Sequence, residues 1–115
     1  MSAKKFELTI YLDGPPWKIV VRAERVYLDP RIKTAIHRRA EARRHSGEIL
    51  TLPWWDIAEL GSGWRIGDGG KTKAEAIRVA IERLEDRGTD ERIRRAIAKG
   101  INNASDIEEM LAFSP

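Results

Sequence analysis

DPRIKTAIHRRAEARRHSG, residues 29 to 47, is the stretch on which the fold turns. Asp29-Pro30 has the form of a helix start, with Asp as N-cap and Pro at the first helical position. Ser46-Gly47 has the form of a stop. Ile32 and Ile36 fall on one helical face, supported by Ala35 and Ala40. The pattern predicts a helix running to about His45. Between Arg31 and His45 stand six Lys or Arg and one Glu. No large apolar residue follows Ile36, so only the first two turns can pack, and the rest should project into solvent or into a partner. Like charges repel there, and phosphates would reverse that penalty. Arg38, Arg39, Arg43 and Arg44 are therefore candidate phosphate contacts. The alternatives are a solvated helix whose arginines pair with carboxylates of the same molecule, or an acidic protein partner. His37 and His45 are too far apart for an i, i+4 metal pair and read as surface residues.

On the N-terminal side, KFELTIYL (5–12) alternates apolar and polar residues as a half-buried strand does. Asp13-Gly14-Pro15-Pro16 turns the chain. WKIVVRAERVYL (17–28) resumes a strand. Its apolar positions switch from odd to even, which predicts a bulge near Glu24-Arg25. The two runs pair as a hairpin. On the C-terminal side, EILTL (48–52) reads as a short strand and WRIG (64–67) as another. PWWDIAEL between them suits a helical turn or an edge strand. Trp17 and Trp64 can both be core. Trp54 and Trp55 are adjacent, so in an extended segment they face opposite ways. One of them should sit at a surface, a groove rim or a subunit contact, where it could stack on a base or anchor a protein partner.

RIGDGGKTKAEAIRVAI (65–81) looks like a phosphate cradle feeding a helix. A Walker A loop would need glycine at position 65, which is Arg65, so that reading fails. Gly67, Gly69 and Gly70 suit a turn with positive φ after a strand. Thr72 and Glu75 form a capping box for a helix from Lys73 to Arg87, with Gly88 past its end. Ala74, Ile77, Ala80, Ile81 and Leu84 make its apolar stripe. Lys71 and Lys73 flank the helix start, where free N–H groups favour an anion. A second helix is predicted over 90–99. A third starts at Ser105, which with Glu108 makes another capping box.

GKTKAEAIRVAI resembles the final loop and helix of double-stranded RNA-binding domains. Lys71, Thr72, Lys73 and Ala76 match that family's segment in type, and GPPWKIVVRAERV resembles its Gly-Pro loop and following strand. The resemblance implies lysines set against a phosphate backbone. That fold opens with a helix, whereas this chain opens with a strand. TDERIRRAIAKGINNASDIEEMLAFSP resembles the first two helices of a helix-turn-helix domain. The helix that would read the major groove would begin near Ser114-Pro115. Residues 89–115 then read either as part of such a domain in a longer protein or as a helical pair packed on the sheet.

The chain has 115 residues, no cysteine, and 34% charged residues. Its length suits one domain over 1–115. Disulfides, thiolate catalysis and cysteine-rich zinc sites are excluded. Net charge is +3 and uneven: 11 Lys and Arg against 8 Asp and Glu over residues 1–60, then 10 against 10. No run of about 18 apolar residues exists to span a membrane, and the first residues lack a signal-peptide pattern. A cytoplasmic location is expected. No nucleophile–base motif stands out, and Asp13, Asp29, Asp56 and Asp68 suit turns and caps. The expectation is an α+β fold: a small antiparallel sheet of about four strands (5–12, 17–28, 48–52, 64–67) covered by helices. The expected function is nucleic-acid binding, DNA or RNA, without catalysis, metal or cofactor. Arg38, Arg39, Arg43, Arg44, Lys71 and Lys73 would engage phosphates, and Trp54 or Trp55 would stack. The alternative is an adaptor or assembly subunit docking on an acidic protein or a second copy of itself.

Overall fold

A computed structural model describes residues 4–12, 14–43, 45–86, 89–98 and 100–113. Arg44, Arg87, Gly88, Ser114 and Pro115 lie outside them. Five strands come first: β1 (Lys5–Tyr11), β2 (Lys18–Asp29), β3 (Ile32–Ala42), β4 (Ile49–Glu59) and β5 (Arg65–Gly70). Three helices follow: α1 (Lys73–Glu85), α2 (Thr89–Ala98) and α3 (Ala104–Phe113). The strands form one antiparallel sheet in sequence order. The fold is α+β, with five strands rather than four, because the segment expected as a basic helix is β3.

Local chemistry explains that correction. Asp29 is not a helix cap. Its carboxylate accepts the Arg31 N–H at 2.8 Å, and Asp29 pairs with Ile32 to close a hairpin around Pro30-Arg31. Asp followed by Pro serves a tight turn as readily as a helix start. β3 then lies between β2 and β4, and both its faces are buried: Ile32, Thr34, Ala35, Ile36 and His37 are all nearly inaccessible. A strand covered on both sides shows no clean alternation, so its period of two is hidden in the sequence. Ala, Arg and Glu rank high as helix formers, but the preference is worth only a fraction of a kcal/mol per residue, and pairing on two flanks outweighs it.

Two cores, one on each face, account for the apolar switch in β2. Ile19, Val21 and Ala23 pack with Phe6, Leu8, Ile10, Ala35, Ala58 and Leu60. Val26 and Leu28 pack on the opposite face with Ile36, Ile57, Ala76 and Ala80. No bulge occurs at Glu24-Arg25, where the pairing runs unbroken. The register shifts instead between Val26 and Asp29. α1 covers the second face through Ala76, Ala80 and Leu84, while Ala74 and Ile81 of the expected stripe are exposed. Ile93 of α2 joins Ile32 and Leu84 on that side. α3 packs Ile107 and Leu111 on the first face. The two last helices therefore sit on opposite faces of the sheet. Asn103, rather than Ser105, caps α3 by accepting the Asp106 N–H at 3.1 Å. No helix among the described residues is long and apolar enough to cross a membrane.

The sheet curls so that the β4–β5 turn meets β1. The Tyr11 N–H donates to the Gly63 carbonyl at 3.4 Å. Asn102 secures the same seam. Its side-chain amide exchanges two hydrogen bonds with the Thr9 backbone, at 3.0 and 2.9 Å, and its own N–H reaches the Gly61 carbonyl at 2.8 Å. That covers part of the free β1 edge and satisfies groups that would otherwise be unpaired.

Candidate nucleic-acid interface

β4 answers the question left by PWWDIAEL. It is a single strand, central over its second half and an edge over its first. Its pairing with β5 ends at Trp55↔Gly70, and the pairing of β2 with β3 ends at Ala23↔His37. Beyond the Arg38–Trp55 pair, β3 and β4 pair only with each other, as a two-stranded ribbon through Ala42↔Ile49. Within it the register slips: Arg38 faces Trp55, but Ala40 faces Thr51. Pro53 lies in the slip, where a missing N–H costs no ladder bond.

The ribbon's base gathers six of the residues singled out from the sequence. Trp55 packs toward α1 beside Ile57, and Trp54 takes the opposite face. The Arg38 guanidinium lies 4.1 Å from the Trp55 ring centre and the Lys73 ammonium 4.7 Å. Arg39 and Lys71 lie 5.4 and 5.6 Å from the Trp54 ring centre. Each tryptophan, half-buried, thus carries two cations, an arrangement worth about 0.5–1 kcal/mol per contact at exposed sites. Arg43 is exposed at the end of β3 and is not part of this cluster. Arg44 lies outside the described residues.

The four cations are not equivalent. Arg39 donates to Asp56 at 2.9 Å and to the Asp68 carbonyl at 2.6 Å, and the bond to Asp56 raises its pKa further. Lys73 pairs with Glu24 at 3.1 Å. Arg38 and Lys71 have no carboxylate partner among the described residues. The expectation that every arginine of the segment awaits an outside anion is corrected for Arg39.

The glycines beside this cluster do not form a loop ahead of the helix. They lie within β5. Gly67 and Gly69 have positive φ, as expected, but Gly70 does not. A Cβ at Gly69 would stand 2.5 Å from the Trp55 carbonyl oxygen and 2.8 Å from Arg39 Nη2, besides striking Asp56. Only glycine lets β5 pass this close to the Arg39–Asp56 pair. The Thr72 half of the capping box forms as expected, Thr72 Oγ1 accepting the Glu75 N–H at 3.1 Å, while the Glu75 carboxylate reaches one residue further back and accepts the Lys71 N–H at 3.3 Å. An acidic side chain thus already occupies part of the helix start.

Other sequence expectations change place. His37 is not a surface residue; it is 3% exposed. Asp56 is not at a turn but deep in β4, 4% exposed and held by Arg39. Trp17 and Trp64 are not core, being 57% and 42% exposed. A double-sided central strand is the signal that hid both His37 and Asp56: they are register partners across β3 and β4.

The chain matches no family model, no curated protein and no solved structure. Among the described residues no three of His, Asp and Glu gather as metal ligands would.

Proposed function

We propose that this chain binds nucleic acid without catalysis, through the base of the β3–β4 ribbon and the adjoining start of α1. One observation carries the reading: Arg38 and Lys71 have no carboxylate partner among the described residues yet are held over tryptophan rings, beside Arg39 and Lys73. Cations held this way suit a phosphate backbone, and an aromatic face beside them suits an unstacked base. A two-stranded ribbon is also of a width that the DNA major groove admits.

The test is fluorescence anisotropy with labelled single- and double-stranded oligonucleotides across a salt series. Binding should weaken steeply with salt. R38Q and K71Q should each weaken it several-fold and each lower the salt slope by about one. If neither form of oligonucleotide binds at low salt, the reading falls.

A second reading, an adaptor or assembly subunit, is favoured by the ribbon's two unpaired edges and by exposed Ile49. Such an edge can accept a strand from another chain. Light scattering separates the two readings: self-association abolished by a proline at Thr51, with no oligonucleotide binding, would select this one.

A further inference from the structure

The two hairpins part company at Ala23 and His37, and a cleft opens between them. Its volume is about 480 Å³, within the range of small-ligand sites. One wall is Ile10 and Tyr11 of β1 with Leu12 just beyond it, the other Arg39 to Ala42 of β3, and Gly63 to Arg65 close the back. Tyr11 and Trp64 stack with ring centres 4.6 Å apart and form a flat aromatic wall. At the floor lie His37 and Asp56, the two most deeply buried polar groups of the lining.

His37 supplies the second observation. Its Nδ1 is 2.7 Å from the Arg38 carbonyl, which can only accept, so Nδ1 carries the proton. Burial lowers the ring's pKa, outweighing the Arg38 carbonyl and the Asp56 charge. The neutral ring then has a lone pair on Nε2. That atom has no partner among the described residues, and it is not sealed off, since among the described residues the one polar side-chain atom both sealed and unpartnered is Lys4 Nζ. A histidine more than nine-tenths buried therefore offers an acceptor into the cleft. Asp56 beside it offers acceptor lone pairs that Arg39 does not exhaust. Arg65, at the back of the cleft, is exposed and has no carboxylate partner among the described residues.

We propose that this cleft is a subsite for one nucleobase of a nucleotide, free or within a strand, with its N–H edge on His37 Nε2 and Asp56 and its phosphate on Arg65. The choice of ligand class rests on the nucleic-acid reading above. The chemistry of the floor narrows it: two acceptors side by side call for adjacent N–H donors. Guanine presents two; uracil presents one, between two carbonyls that would face the same acceptors.

The experiment titrates the protein with 5′-GMP and 5′-UMP, followed by ¹⁵N–¹H spectra of the His37 ring and the Trp64 indole. GMP should shift both signals and bind at least about tenfold more tightly than UMP. R65Q, at an exposed position, should weaken GMP several-fold without altering the melting temperature. H37Q is the floor variant, and if it fails to fold, R65Q and the base comparison still decide. Equal binding of GMP and UMP, no shift at His37 and Trp64, or an indifferent R65Q would each overturn the proposal. A guanine-bearing oligonucleotide separates the sources. Oligonucleotide binding that leaves His37 and Trp64 unmoved sinks the subsite and spares the nucleic-acid reading. GMP binding here without oligonucleotide binding keeps the subsite and sinks that reading.

Discussion

The two halves of β3 have opposite fates. Ile32 to His37 is flanked by a strand on each side and covered on each face. Arg38 to Ala42 keeps one neighbouring strand and is half-exposed or exposed. The first half is held by apolar burial, the second by one ladder and by cations resting on tryptophan. The boundary falls where large apolar residues run out, after Ile36. A charged segment need not be a helix to project from a fold. A strand that outruns its neighbours presents its charges equally well, and adds backbone edges.

The contrast is broken most severely in the inner half. Ile36→Ala should cost about 2–5 kcal/mol in denaturant unfolding, since its side chain is enclosed between the sheet and α1. Asp56→Ala, at the junction of the halves, should cost about 2–3 kcal/mol by stranding Arg39, whose side chain is 18% exposed. Thr72→Ala removes the α1 cap and should cost about 1 kcal/mol by the same measurement. A smaller effect follows pH. His37 titrates below its usual 6.5 in the folded chain, because of burial. The unfolded chain therefore binds the proton first as pH falls. Stability from this group is complete above about pH 6.5 and drains away as pH drops through the depressed value. Asp56, Arg39 and Arg65 face the ring and set how far the value falls. H37Q should remove that part of the pH slope in thermal melts. Arg38→Gln, in the outer half, should cost no more than about 1 kcal/mol, the worth of its contact with Trp55. A larger loss would mean that the ribbon is held by the same forces as the inner half.

The candidate site was partly legible in the residues. Arg38, Arg39, Trp54, Trp55, Lys71 and Lys73 stand out by type, and the structure brings them together. Their grouping was not legible, because it depends on β3 and β4 being register partners. The cleft was not legible either. Its floor comes from His37 and Asp56, each of which has a bland local reading, and its two walls come from segments about thirty residues apart in sequence.

Local chemistry along the chain determined β1, the capped start of α1, the turns at glycine and proline, and the excess of cations before residue 45. Each depends on neighbours within a few positions, so each is written where it acts. Only the tertiary structure decided that residues 32 to 42 are extended, that β2 serves two cores, and that α2 and α3 part to opposite faces. Those outcomes depend on pairing and burial between distant segments. A strand covered on both sides loses the alternation by which a strand is recognised, and the energy of its two ladders and two cores exceeds the modest helix preference of its alanines and arginines.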